Sequence, residues 1–290
     1  MPHTKQQLRE LLHQAGISPR HKWGQNFLID LNLMRLLVGE ANLQGNEIIL
    51  EVGCGTGSLT GMLAKKAGAV VSVEIDANLA DIAKAQLTRH DNITLLRTDV
   101  LSGKNTITPT VSQAITETQE KINGPLYLIA NLPYQVASPL MVNLLLNENI
   151  PAGFFVTIQA EVADRMTASP GSKSYGLLSI LTQATGLVKK IRTIKPQAFW
   201  PLPKVNSAII SWQYDHLKYR QIEDIKFLKK TIDLLLRHRR KKIHTCLNQV
   251  NKVVYFSPLL ETLSIDPHAR AETLPVEKFV QLANLWAKQG

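Results

Sequence analysis

The chain has 290 residues, 44% of them hydrophobic, which is enough for one large core and a second, smaller one; a disordered chain and a small stapled module are both excluded. Its formal net charge of +10 points to a polyanionic partner. Two cysteines, Cys54 and Cys246, give neither a disulfide framework nor a metal-ligand spacing, and a reducing cytoplasm is the expected compartment.

Residues 1–20 are polar and lack the apolar centre of a secretory signal. No apolar run approaches the roughly 20 residues that span a bilayer, so no membrane association is expected. Next comes Lys22-Trp23-Gly24-Gln25-Asn26-Phe27-Leu28, which has no core periodicity. Polar Gln25 and Asn26 between apolar neighbours predict a lid over a ligand.

Between residues 48 and 155, short apolar runs alternate with helical patterns, which predicts an α/β fold with a parallel, doubly wound sheet. The strands are expected at 47–51, 70–74, 93–96, 126–130 and 154–158, with crossover helices starting near 59 and 78. Residues 102–124 are rich in Thr, Gln, Asn and Ser and read as a surface insertion with a short helix near 111–122. A late strand is expected at 205–212, followed by helices at 225–238, 243–250 and 276–287. The boundary is placed near Tyr214, giving a catalytic domain over 1–213 and a small helical domain over 214–290.

Four features along this sheet carry chemistry. Glu51-Val52-Gly53-Cys54-Gly55-Thr56-Gly57 places a glycine-rich turn between strand and helix, where a ligand can approach bare backbone. Ser58 stands where a dinucleotide fingerprint requires glycine, and the Glu51 carboxylate would repel a pyrophosphate but attract a cationic ligand. Glu74 ends the second strand and suits a ribose diol; Asp99, after the third, suits an adenine amino group. Asn131-Leu132-Pro133-Tyr134 follows the fourth. An adenine amino nitrogen is a poor nucleophile because its lone pair is delocalised into the ring. Acceptors on both its N–H bonds, from the Asn131 side chain and a carbonyl near Leu132, would favour a more tetrahedral nitrogen. Pro133 helps aim that carbonyl, and Tyr134 can stack on the base.

Farther on, Phe199 precedes a stiff loop, Trp200-Pro201-Leu202-Pro203, and is either a second stacking face for a flipped base or a core residue. Residues 216–244 hold ten lysines and arginines against three acids, a net +7 in about a tenth of the chain. Arg237, Arg239, Arg240, Lys241 and Lys242 are assigned to the phosphates of a polyanionic partner, the alternative being a solvated helix face.

Together these residues resemble the rRNA adenine N6-dimethyltransferases, most closely the type acting on small-subunit (16S) rRNA. The resemblance rests on residues 24–28, 51–57, Glu74, Asp99, 131–134, 159–165, 170–179, 199–207 and 270–274, and so covers nearly the whole chain. Ala130, Leu202 and Asn206 depart from the family's usual glycine, proline and aspartate without removing a proposed contact atom. The resemblance implies a Rossmann-like class I methyltransferase sheet with a small helical domain, and S-adenosylmethionine as donor. Gln25, Asn26, Leu28, Glu51, Gly53, Gly55, Glu74, Asp99 and Asn131 would surround that donor, with Asn131 between it and the target. The implied reaction places two methyls on each of two neighbouring adenines near the 3′ end of small-subunit rRNA, within an assembling subunit, by a monomeric enzyme. The alternatives are a large-subunit rRNA methyltransferase, a non-catalytic assembly factor on the same scaffold, and a DNA adenine methyltransferase.

Overall fold

Long runs of apolar residues without polar alternation make strands that must be covered on both faces. Three such runs become β2 (Ile48–Val52), β3 (Ala69–Glu74) and β6 (Gly153–Gln159), buried almost throughout. They belong to a computed structural model that describes residues 4–19, 24–103, 106–147, 149–239, 241–248 and 256–288. The chain divides into two units, Met1–Ala163 with Lys189–Gln213, and Asp164–Val188 with Tyr214–Gly290.

In the first unit, α1 (Lys5–Gln14), β1 (Phe27–Leu28) and α2 (Leu31–Glu40) precede β2. The chain then runs through α3 (Ser58–Leu63), β3, α4 (Ala77–Gln86), β4 (Ile93–Arg97), α5 (Pro109–Ile122), β5 (Leu126–Asn131), α6 (Tyr134–Leu145) and β6. Helix α7 (Ala160–Met166) follows, and after α8 (Leu177–Thr185) come β7 (Gly186–Ile194), β8 (Phe199–Trp200) and β9 (Ser207–Tyr214). The sheet order is β4-β3-β2-β5-β6-β9-β7, and β1 pairs separately with β8. Strands β2 to β6 are parallel, as their apolar runs predict, but β9 lies antiparallel to β6, so the sheet as a whole is mixed.

Strand order reverses at β2. The chain moves outward through β3 and β4, then returns to place β5 on the other side of β2. In open α/β sheets the crevice beyond the carboxyl ends at such a reversal is where ligands bind. It falls between Gly53 and Asn131.

The helix expected near 111–122 is present, but the reading of 102–124 as a surface insertion is corrected. Most of it is α5, a 14-residue crossover helix between β4 and β5 that packs on β3 and β2. Val111, Ala114 and Ile115, at i, i+3 and i+4, are buried and form its sheet-facing stripe, which the surrounding Thr and Gln obscure in the sequence.

The second unit is helical. It comprises α8, α9 (His216–Tyr219), α10 (Ile225–Arg237), α11 (Ile243–Asn248), α12 (Phe256–Thr262) and α13 (Val276–Ala287). Helix α8 packs on α10 and α13, so 164–188 belongs here rather than in the first domain, as a single cut at 214 would have it. The reason is apolar demand: Leu178, Ile180, Leu181 and Ala184 are all buried on α8 and need helices on more than one side. Trp286 of α13 is met edge-on by Phe227 and Phe256, at 5.3 and 5.0 Å between ring centroids.

Candidate active site

The glycine turn after β2 sits in a backbone region that side chains rarely adopt. Gly53, Gly55 and Gly57 have φ of +79°, +57° and +82°. Bare backbone is also needed for space. A Cβ on Gly53 would lie 2.9 Å from Pro133 Cγ, and one on Gly55 would lie 2.9 Å from the Phe27 ring. Three sequence motifs far apart in the chain, 25–28, 53–57 and 131–134, are therefore in direct contact.

Behind the turn, Glu74 is fixed by two backbone donors. Its Oε2 accepts from Gly55 N–H at 2.8 Å and its Oε1 from Asp76 N–H at 2.9 Å. Burial still holds its carboxyl above the usual carboxylate range, and the nearby Asp76 charge adds to that. Asp76 caps α4 through Asn78 N–H and accepts Gln25 Nε2 at 3.0 Å. This ties the predicted lid to the end of β3. Asp76 is one of two residues of the site not singled out in the sequence; its position as N-cap of a helix following Glu74 was the available signal.

Glu74 and Gln25, with the turn at Gly53 and Gly55, border a cavity of about 290 Å³. Its walls include Gln25, Asn26, Gly53, Gly55, Glu74, Asp99 and Asn131 through Tyr134, so most of the predicted positions converge there. A smaller space of about 40 Å³ shares Phe27, Gly53 and Asn131 with it and adds Leu28, Met34 and Glu51. Leu28 and Glu51 therefore face this second compartment rather than the main one. Glu51 is 1% exposed and accepts from Ser72 Oγ at 2.9 Å. Burial, reinforced by the Glu74 charge, pushes its carboxyl up from 4.5 to about 7. Asp99 is exposed, with Oδ1 taking the Leu101 N–H at 3.0 Å.

Asn131 stands where the two compartments meet. Its Nδ2 donates to the Asn26 carbonyl at 2.9 Å, which directs the amide and leaves Oδ1 without a donor among the described residues. Leu132 is buried, its N–H bonds to the Thr157 carbonyl on β6, and its own carbonyl accepts from no described group. Pro133 caps α6 and Tyr134 opens it. The Tyr134 hydroxyl pairs with Ser207 Oγ at 2.7 Å, which pins the ring from β9. Ser207 is the second residue that sequence reasoning passed over; its place in the 199–207 motif gave no hint of this contact.

Phe199 is a correction. It is 1% exposed and lies in the core with Leu28, Leu37, Ile129, Phe155 and Ile209, so it offers no stacking face. Its partner across the β1–β8 pair is Leu28, and this pairing turns the ring inward. Arg239 differs from expectation too. Its guanidinium bonds Glu272 at 3.0 Å and the Lys173 carbonyl at 3.1 Å, so it ties loops of the second unit together. Arg237, Lys241 and Lys242 are exposed, and Arg240 lies outside the described residues.

A family model described as "Ribosomal RNA adenine dimethylase" matches residues 16–288. A "Ribosomal RNA small subunit methyltransferase A" from Bacillus cytotoxicus is 35% identical over 287 residues, covering 97% of this chain and 96% of the relative. One of the same description from Magnetococcus marinus is 34% identical over 279 residues, covering 96% and 95%. Among solved structures, a dimethyladenosine transferase from Plasmodium falciparum superposes with a TM-score of 0.73 at 22% identity, covering 90% of this chain and 97% of that one.

Proposed function

Because the chain belongs to the ribosomal RNA adenine dimethylase family, we propose that it transfers methyl groups from S-adenosylmethionine to N6 of two neighbouring adenines near the 3′ end of small-subunit rRNA, during assembly of the subunit. The observation that carries this reading is Asn131, whose amide is held by the Asn26 carbonyl at the junction of the two compartments with its oxygen free to accept.

The residues fit the donor. Glu74 and Asp99 line the main cavity as acceptors for a ribose and an adenine amino group, and Gly53 and Gly55 keep the backbone bare. Glu51 places a carboxyl in the smaller compartment, which favours a cationic ligand end. When bound, S-adenosylmethionine supplies an electrophilic methyl group on a cationic sulfur. The protein then has to position the amine. In the first transfer Asn131 Oδ1 and the Leu132 carbonyl each take one N–H bond, which directs the nitrogen lone pair out of the ring plane; in the second the monomethylated nitrogen has one N–H left for one of these acceptors. Tyr134, its hydroxyl held by Ser207, supports the base face. The carboxylates lining the main cavity, Glu74 and Asp99, are already bonded to backbone N–H groups, so proximity and fixed acceptors carry the reaction and no strong base is required. The proton leaves the amine for water after the N–C bond has formed.

The test is transfer of labelled methyl to small subunits from cells lacking this protein. Wild type should give dimethyladenosine. Asn131→Ala should slow transfer by ~10²–10³-fold, as loss of one fixed polar partner does, while still binding the subunit. Binding without any methyl transfer by the wild type would leave the assembly-factor reading in its place. Label appearing in large subunits alone, or in naked DNA, would transfer the reading to those substrates.

A further inference from the structure

The charge excess is not confined to 216–244. Residues 165–214 contain seven lysines and arginines and no Asp or Glu, an equal net +7. Five of the seven fall in the catalytic unit: Lys189, Lys190, Arg192, Lys195 and Lys204. Four of these lie on or just beyond β7, the edge strand of the sheet.

A strand with one face on the core exposes every second residue. On β7, Lys189, Lys190, Arg192 and Thr193 are exposed, while Gly186 and Ile194 are buried and Val188 and Ile191 half-buried; Lys195 is exposed directly after the strand. At a rise of ~3.3 Å per residue, Lys189 to Lys195 spans about 20 Å. The neighbouring strand β9 and β6 beyond it carry no charged residue at all. Lys189, Arg192 and Lys195 form no ion pair or side-chain hydrogen bond with any described residue. Charges on an edge strand guard against strand-to-strand association, but either sign serves that purpose, and alternating signs would avoid self-repulsion. A one-sign strip this long, with no carboxylate in fifty residues of chain, is matched by a polyanion.

We propose that the β7 edge is a second RNA-binding surface, in the catalytic unit itself, which grips the phosphate backbone of the rRNA substrate through Lys189, Arg192 and Lys195. It reads charge and not sequence, because extended cations on a sheet edge reach phosphates and no base edge. The inference rests on the rRNA reading above.

The experiment measures binding of the full-length protein, with S-adenosylhomocysteine present, to small subunits from cells lacking it, between 50 and 200 mM salt. A triple variant, Lys189→Gln, Arg192→Gln and Lys195→Gln, should lower the slope of log affinity against log salt by about 2 to 3, at ~0.7–0.9 per phosphate. Across that salt range its affinity should then change roughly 30-fold less than wild type's. A charge-keeping variant, Lys189→Arg, Arg192→Lys and Lys195→Arg, should retain the wild-type slope. If the glutamine variant keeps the wild-type slope, or the charge-keeping variant loses it equally, the β7 strip is overturned. If the wild type shows no binding to the subunit at all, it is the rRNA reading that fails.

Discussion

Glu51→Gln isolates the electrostatics of the smaller compartment. In the folded protein the Glu51 carboxyl titrates at about 7 instead of 4.5, because it is buried and faces the Glu74 charge. Between those values the folded state holds a proton that the unfolded state has released, so stability falls as pH rises through the window. The pKa rise from 4.5 to about 7 corresponds to about 3 kcal/mol lost between pH 4.5 and pH 8. Glutamine is neutral throughout, nearly isosteric, and keeps an oxygen for the Ser72 hydroxyl, which donates at 2.9 Å. Melting of the ligand-free protein at pH 5 and pH 8 should show wild type and variant nearly level at the lower pH. The variant should be more stable by roughly 5–10 °C at the higher pH, taking ~2–4 °C per kcal/mol for a unit of this size. Comparing the two proteins cancels the titrations of groups that do not interact with Glu51. The same carboxyl should lose its proton when a cationic ligand enters, so calorimetry at pH 6 in buffers of different ionisation enthalpy should detect up to one proton released on S-adenosylmethionine binding by wild type and less by the variant. Parallel pH profiles of stability for the two proteins would refute the reasoning.

Three further outcomes follow from the site. Phe199→Ala should destabilise the catalytic unit by ~3–5 kcal/mol, as for any large core residue, and denaturant melts check this; near-normal stability with lost transfer would return Phe199 to a stacking role. Tyr134→Phe keeps the ring and loses only the Ser207 bond, costing about 1 kcal/mol, whereas Tyr134→Ala should lower kcat/KM by a further ~1–3 kcal/mol through lost stacking. Equal losses in the two variants would show that the hydroxyl matters and the ring does not. Arg239→Ala should lower the melting temperature of the second unit through its bonds to Glu272 and the Lys173 carbonyl and leave the salt slope of RNA binding nearly unchanged, while Lys241→Ala with Lys242→Ala should flatten that slope by about 1.5.

Much of the catalytic unit was legible in the residues alone. Apolar runs located β2 to β6 within a residue or two because strands covered on both faces tolerate few polar side chains. The placement of Glu74, Asp99 and Asn131 at strand ends followed from the same rhythm, since a parallel sheet brings successive carboxyl ends to one edge. What failed were features decided by side-chain direction or by distant partners. The stripe of α5 is only three residues wide among Thr and Gln, so composition gave the helix at 111–122 but hid that it packs on the sheet as a crossover. Phe199 is aromatic at the right place in its motif, yet its pairing across from Leu28 turns the ring into the core. Arg239 sits in a run of cations, but only the fold brings Glu272 against it. Sequence thus determined the order of strands' chemistry and the identity of the amide at the junction. The tertiary structure alone decided which aromatic faces the cavity, which arginine is already bonded, and that Lys189 to Lys195 lie on an open edge. Those outcomes depend on contacts between residues dozens of positions apart, and local pattern carries no record of them.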